Sequence, residues 1–245
     1  MTGLKMIERQ SGVALWRQIA DQMRSLINNG DFDATGMMPP ETALAARFGV
    51  NRHTVRSALA SLAEEGIVRP IQGIGTRIER KGRLNFPISR RTRFSQGIGD
   101  QVRDFEGRLL EEKHEVPGGA VSEALEIPVG TPCIRLETLS SADGRPLTRS
   151  TSYFPADRFS QIGEQYARTG SITRAFAALG IEDYVRRSTE ITAIHAEGSD
   201  LADLKLSPGA ILLVTTAINT DIAGLPVQYS RTRFAADRVK FTVEN

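Results

Sequence analysis

At 245 residues, with 40% hydrophobic and 24% charged side chains, the chain has the makeup of a soluble folded protein of one large domain or two ordinary ones. Its apolar runs fall far short of the ~20 residues that span a bilayer. No charged start followed by an apolar block marks a signal peptide, and a single cysteine, Cys133, excludes an intrachain disulfide; a cytoplasmic chain without membrane contact is expected. The net charge of +2 hides a split, because residues 1–93 hold 15 Lys+Arg against 8 Asp+Glu while residues 94–245 hold 16 against 21. A basic first third joined to an acidic remainder points to a polyanionic partner for the first part.

From Leu15 to about Asn28, apolar residues Trp16, Ile19, Met23, Leu26 and Ile27 recur at helical spacing, and Asn29-Gly30 closes the helix. Pro39-Pro40-Glu41 opens a second helix, with Pro40 suited to the first helical position and Glu41 to the positive end of the dipole; Leu44, Ala45 and Phe48 face inward. After the Gly49-Val50 turn, Asn51 caps a third helix. Its buried stripe is Val55, Ala58, Leu59 and Leu62, and its stop is Gly66. The stripe leaves Arg52, His53, Thr54 and Arg56 on the outer flanks. Two short helices joined by a tight turn form a helix-turn-helix, and Ile67–Ile71, the turn Gln72-Gly73-Ile74-Gly75 and Thr76–Ile78 then read as a hairpin wing. Helices of this kind place their exposed donors in a DNA major groove, where one arginine bridges guanine O6 and N7 for about 1–3 kcal/mol of discrimination. Thr54 suits a phosphate or a thymine methyl.

Residues 80–91, rich in Arg, Gly, Asn and Pro, read as a linker between a winged helix-turn-helix domain over 11–79 and a second domain over 92–245. The second part carries a weak repeat at an offset of 80 positions. "ADGRPLTRSTSYFPADRF" (142–159) answers "IAGLPVQYSRTRFAADRV" (222–239), and "ALEIPVGTP" (124–132) answers "ADLKLSPGA" (202–210). Each copy reads as a short helix, a turn, a strand, a hairpin turn and a second strand. The two copies pair most simply into one antiparallel sheet, an α+β domain with a small-molecule site between them. Ser171 to Leu179 reads as a separate helix capped by Ser171.

The segment Trp16 to Ile78, with "PPETALAARFGVNRHTVRSALASLAEEGIV" and "QGIGT", closely resembles the DNA-binding domain of GntR-family bacterial transcription regulators. In that family the residues matching Arg52, Thr54 and Arg56 contact the operator, and those matching Gln72 and Gly73 reach the adjacent minor groove; His53 joins them by position. Thr42 stands where the family often has an arginine, which throws more of the specificity onto Arg52 and Arg56. The remainder, with "RRTRFSQGIGDQ", "DGRPLTRSTSYFP" and the "PVQYSRTRFAADRVKFTVEN" ending, resembles the UTRA effector domain of the HutC subfamily, whose fold is similar to chorismate lyase. Within it the PhnF-type regulators of phosphonate use are nearest.

The resemblance implies a small, often anionic effector such as a phosphonate or sugar phosphate. Expected contacts are Arg93, Phe94 and Ser95, then Arg135, Tyr153, Ser171, Arg186, Gln228, Tyr229 and Arg231. Relatives often carry arginines where this chain has Thr138 and Ser140. His114 and His195 have no partner at metal spacing, and no phosphate loop or nucleophile motif occurs, so no metal, cofactor or catalytic residue is expected. The expected protein is a regulator, a repressor in this reading, binding double-stranded operator DNA as a homodimer. The alternative is a small-molecule-metabolising enzyme of chorismate-lyase-like fold with a DNA-binding domain attached.

Overall fold

A computed structural model describes residues 14–32, 34–79, 83–89, 101–206 and 208–243, and the chain divides into two compact units, Met1–Gly82 and Arg83–Asn245. In the first unit α1 (Leu15–Asn29), α2 (Glu41–Phe48) and α3 (Arg52–Glu64) precede a hairpin of β1 (Val68–Ile71) and β2 (Gly75–Ile78). The helical stripes meet as expected: Ile19, Met23 and Ile27 of α1 pack with Leu44 and Phe48 of α2 and with Val55, Ala58, Leu59 and Leu62 of α3, all buried, and Val68 and Ile78 of the hairpin close the core. Asn51 caps α3, its Oδ1 accepting from the Thr54 amide at 2.8 Å. A half-buried bidentate pair ties the end of α3 to α1, with Arg24 Nη2 at 2.7 Å from Glu65 Oε1 and Nε at 3.2 Å from Oε2. One detail differs from expectation. Pro40 is the extended N-cap (ψ 147°) and Glu41 the first helical residue, which puts the Glu41 carboxylate on the turn facing α3.

The second unit is built on a six-stranded, wholly antiparallel sheet. Its strands are β4 (Phe105–Glu115), β5 (Cys133–Ala142), β6 (Arg145–Pro155), β7 (Tyr184–His195), β8 (Ile211–Asp221) and β9 (Pro226–Ala235), in the order β4-β5-β6-β9-β8-β7. The repeat explains this order. Each copy contributes a three-stranded meander, and the copies join edge to edge through β6 and β9. At that seam Thr151 pairs with Arg231, its own counterpart 80 positions on, so the two-fold relation of the copies runs through this pair. The short helices α4 (Gly119–Ala124) and α8 (Ser199–Asp203) occupy equivalent places before β5 and β8. The edge strands β4 and β7 carry no part of the sequence echo.

Between the copies α5 (Ala156–Phe159), α6 (Ile162–Thr169) and α7 (Ile172–Ala178) cover one end of the sheet. Their Phe159, Ile162, Tyr166 and Phe176 pack on Ile134, Leu136 and Phe154. The sequence reading found α7 and its Ser171 cap, whose hydroxyl accepts from the Arg174 amide at 3.4 Å, but missed α6. The stretch read as linker, 80–91, needs correction. Leu84–Pro87 forms β3, which pairs in parallel with β10 (Val239–Thr242) and buries Phe86 against Phe234 and Phe241. Arg and Asn in the flanks masked the apolar Leu84 and Phe86, and a parallel partner more than 150 positions away gives no local signal.

Candidate DNA interface and effector cavity

On the reading head, Arg52, His53 and Arg56 are exposed on one side of α3, while its opposite side is sealed in the core. Thr42 is exposed in the first turn of α2. Thr54 is more constrained than its sequence position suggested, because its hydroxyl donates to Asn51 Oδ1 at 3.0 Å; its methyl is the part left for a base. At the wing tip Gln72, Gly73 and Ile74 are exposed, and Gly73 takes φ +76° with open space where a side chain would stand. That conformation, disfavoured for other residues, keeps the tip narrow.

Sequence reasoning missed two wing residues. Arg69 and Arg77 are directly opposed across the hairpin and both exposed. Arg77 is engaged by Glu79, whose Oε1 accepts from its Nε at 3.1 Å and its Nη2 at 2.6 Å, which offsets the like-charge repulsion across the hairpin. Their equal distance from the Gly-rich turn was the available clue.

In the second unit one face of the sheet forms the floor of a cavity of about 110 Å³, room for several waters or a small organic molecule. Alternation along the strands puts Thr138 and Ser140 of β5, Ser150 and Ser152 of β6, Thr215 and Asn219 of β8, and Gln228, Ser230 and Thr232 of β9 on that floor. Ser171, Thr173, Tyr166 and Tyr184 stand around it. The floor is cross-bonded: Asn219 Nδ2 donates to Gln228 Oε1 at 2.7 Å, Gln228 Nε2 to Ser152 Oγ at 3.0 Å, and Ser150 Oγ to Thr232 Oγ1 at 2.9 Å. Thr173 and Tyr184 share a hydroxyl–hydroxyl bond of 2.8 Å.

The wall carrying Ser171 is held by a backbone contact. A Cβ added to Gly107 on β4 would lie 2.0 Å from the Gly170 carbonyl oxygen, so only glycine lets the α6–α7 turn approach β4 this closely. Thr138 and Ser140 face Tyr166, and their side chains hydrogen-bond its hydroxyl; burial raises the pKa of that phenol.

The cavity's charge comes from Arg186. It lies on β7 opposite Asn219, beside a register shift that turns Arg187 outward to Glu126. Bulges of this kind re-aim side chains. Arg186 Nε and Nη1 are buried and have no hydrogen-bond partner among the described residues. Burial lowers its pKa, with Tyr184 acting weakly the other way; an arginine so placed stays protonated.

Of the residues expected to bind effector, Ser171, Arg186 and Gln228 are brought together here. Arg135, Tyr153, Tyr229 and Arg231 are not, and for them the expectation is corrected: at odd positions of β5, β6 and β9 they lie on the opposite face. There Arg135 is engaged by Glu111 at 2.5 Å and Glu137 at 2.9 Å, and Tyr153 donates to Glu115 at 3.3 Å and stands 6.4 Å from the Tyr229 ring. Arg93, Phe94 and Ser95 lie outside the described residues. Among the described residues no group of three or more His, Cys, Asp or Glu could hold a metal, and no helix is long and apolar enough to cross a membrane.

A winged helix-turn-helix unit followed by a two-fold-repeated sheet with a polar cavity is the architecture of a DNA-binding regulator with a second, cavity-bearing domain. Comparison with known proteins agrees. Residues 15–78 match the family "Bacterial regulatory proteins, gntR family", and residues 100–240 match the UTRA domain. The chain is 63% identical, over 98% of both sequences, to an uncharacterized HTH-type transcriptional regulator of Rhizobium meliloti. It is 31% identical, over 93% of its own length and 92% of the other's, to the probable transcriptional regulator PhnF of Escherichia coli. In fold it is similar to PhnF from Mycobacterium smegmatis, with TM-score 0.62 and 21% identity over 91% of this chain and 98% of that one. The chain therefore belongs to the GntR family, in its HutC/PhnF-type branch with a UTRA domain. Proteins of these families are transcriptional regulators, and the enzyme alternative falls.

Proposed function

We propose that the protein is a repressor that acts as a homodimer and releases its operator when a small anion, a phosphonate or sugar phosphate, fills the cavity of the second unit. The observation that carries this reading is Arg186: a buried guanidinium on the wall of a hydroxyl-lined cavity, whose Nε and Nη1 have no hydrogen-bond partner among the described residues. Leaving such a group unpaired costs about 1–3 kcal/mol, and more when it is charged, so the site favours a ligand that supplies the missing acceptors. Arg donates to phosphonate or phosphate oxygens in bidentate fashion, and Ser171 and Gln228, which line the same cavity, supply further contacts. Arg93, Phe94 and Ser95 are included in the proposed site through the resemblance alone.

On the operator side the proposed contacts are Arg52 and Arg56 on guanine, the Thr54 methyl, His53 and Thr42 beside them, and Gln72 with Gly73 in the minor groove. One winged helix makes few base contacts, and two related half-sites match a two-fold dimer. Blocking a promoter needs only occupancy, so ligand binding has to do no more than misplace the two heads. A coupling of about 1–3 kcal/mol changes operator affinity roughly 5- to 150-fold.

The test is a thermal-shift screen of methylphosphonate, 2-aminoethylphosphonate, glucose 6-phosphate, glucosamine 6-phosphate and inorganic phosphate, followed by gel shifts with each hit. A hit that stabilises the wild type, loses that effect in Arg186→Gln and releases DNA supports the proposal. An operator affinity that ignores every hit sinks it. Sedimentation of the full chain checks the dimer.

A further inference from the structure

The recognition arginines are not free in this protein. Glu41, the first residue of α2, reaches across the helix-turn-helix: its Oε1 accepts from Arg56 Nε at 3.1 Å and its Oε2 from Arg56 Nη2 at 2.9 Å, and Oε2 also accepts from Arg52 Nη2 at 3.3 Å. One carboxylate thus holds two guanidinium groups that lie one helical turn apart. The depth of the three side chains orders them. Glu41 is 28% exposed and both arginines are 59% exposed, so the carboxylate sits behind the guanidinium groups and their outer edges face solvent.

The remaining donors decide what this arrangement does. Arg56 spends its Nε–Nη2 side on Glu41 and keeps the Nη1–Nη2 end, one N–H on each nitrogen. Arg52 spends a single N–H on Glu41 and keeps the rest of its fork. Each arginine therefore retains two parallel donors, the number needed for guanine O6 and N7. A long side chain with four rotatable bonds loses rotamer freedom when it binds, and a buttress that removes this freedom beforehand leaves less to lose on the operator. The same carboxylate sets a negative charge close to any DNA phosphate that would pull the arginines aside. The hydrogen bond from Arg56 is the largest influence on Glu41. With the charges of both arginines it outweighs partial burial and keeps the carboxyl below the usual carboxylate range, so it is ionised at neutral pH.

We infer that Glu41 is a positioning residue for operator discrimination: it buttresses Arg52 and Arg56 toward base edges and repels them from indiscriminate phosphate contact. This goes beyond the assignment of the two arginines as base contacts. It also gives Glu41 a task beyond the helix-dipole role that its place in the first turn of α2 would supply.

The experiment uses the full chain and a duplex enriched from a random pool by the wild-type protein, with a scrambled duplex of equal length as reference. For wild type, Glu41→Gln, Arg56→Ala and the double variant, the ratio of the two affinities is measured in each protein preparation. Any inactive fraction affects both affinities and cancels in the ratio. Glu41→Gln is expected to lower the ratio about five- to tenfold, within the range of one good base contact. Its scrambled-DNA binding should depend more steeply on salt, by up to about one unit of log–log slope. In the Arg56→Ala background the same substitution should cost much less, since its effect passes through that arginine. A purely structural Glu41 would weaken both duplexes alike and leave the ratio and slope unchanged, which overturns the inference. So does a full, undiminished effect of Glu41→Gln in the Arg56→Ala background.

Discussion

The reading head and the sensing sheet place their working side chains in opposite ways. On α3 the arginines stand outside a helix whose other side is core, and residues one turn apart share a flank whatever happens elsewhere in the chain. On the sheet a residue faces the cavity or the far side according to its parity within the strand, and a register shift changes that parity. Function on a helix flank is thus readable from local spacing. Function on a sheet face depends on register, which distant partners set.

The largest expected effect breaks the head. Arg52→Ala with Arg56→Ala should remove most operator selectivity, at about 1–3 kcal/mol for each lost base contact, while melting stays near wild type because both side chains are exposed. Footprinting and thermal melting on the same preparation check this, and a retained footprint would refute it. Next comes the sheet's close contact. Gly107→Ala should lower stability by about 1–3 kcal/mol in urea unfolding, because a Cβ has no room beside the Gly170 carbonyl. It should also blunt any ligand-induced stabilisation, since the displaced turn carries Ser171.

Arg186→Gln separates binding from stability. It should abolish the thermal response to the anion and yet leave the unliganded protein as stable or up to about 1 kcal/mol more stable, because a buried charge is removed whose Nε and Nη1 have no hydrogen-bond partner among the described residues. A clear loss of unliganded stability would mean that Arg186 is structural. The smallest effect is the sharpest test of parity: Arg231→Gln, on the far face, should change neither ligand response nor stability by more than about 0.5 kcal/mol. If it erased the response, the assignment of faces would be wrong.

Much of the head was legible beforehand. The apolar stripes of α1, α2 and α3, the Asn51 cap and the Gly-centred wing follow from short-range periodicity, and each is in place. The Glu41 buttress was not, because residues 41, 52 and 56 come together only when α2 crosses α3. In the second unit the repeat pointed to an antiparallel sheet, and the sheet is there, with Arg186 on a strand as expected, while the edge strand β4 and helix α6 escaped notice. Four of the residues expected at the effector site lie on the face away from the cavity for one reason. Arg135, Tyr153, Tyr229 and Arg231 were chosen by residue type on predicted strands, without a register to say which face they take.

By itself the sequence determined the three helices and the wing of the head, which side of each head helix is buried, and that the second part is two copies of one motif. These are matters of spacing and self-similarity, encoded within a few turns or in a comparison of the chain with itself. Only the tertiary structure decided which polar residues share a cavity, that Arg186 turns into it with Nε and Nη1 unpaired among the described residues, that Leu84–Pro87 is a strand rather than linker, and that one carboxylate holds both reading arginines. Each of these depends on pairings between residues far apart in sequence, where a one-residue shift in register exchanges the two faces of a strand.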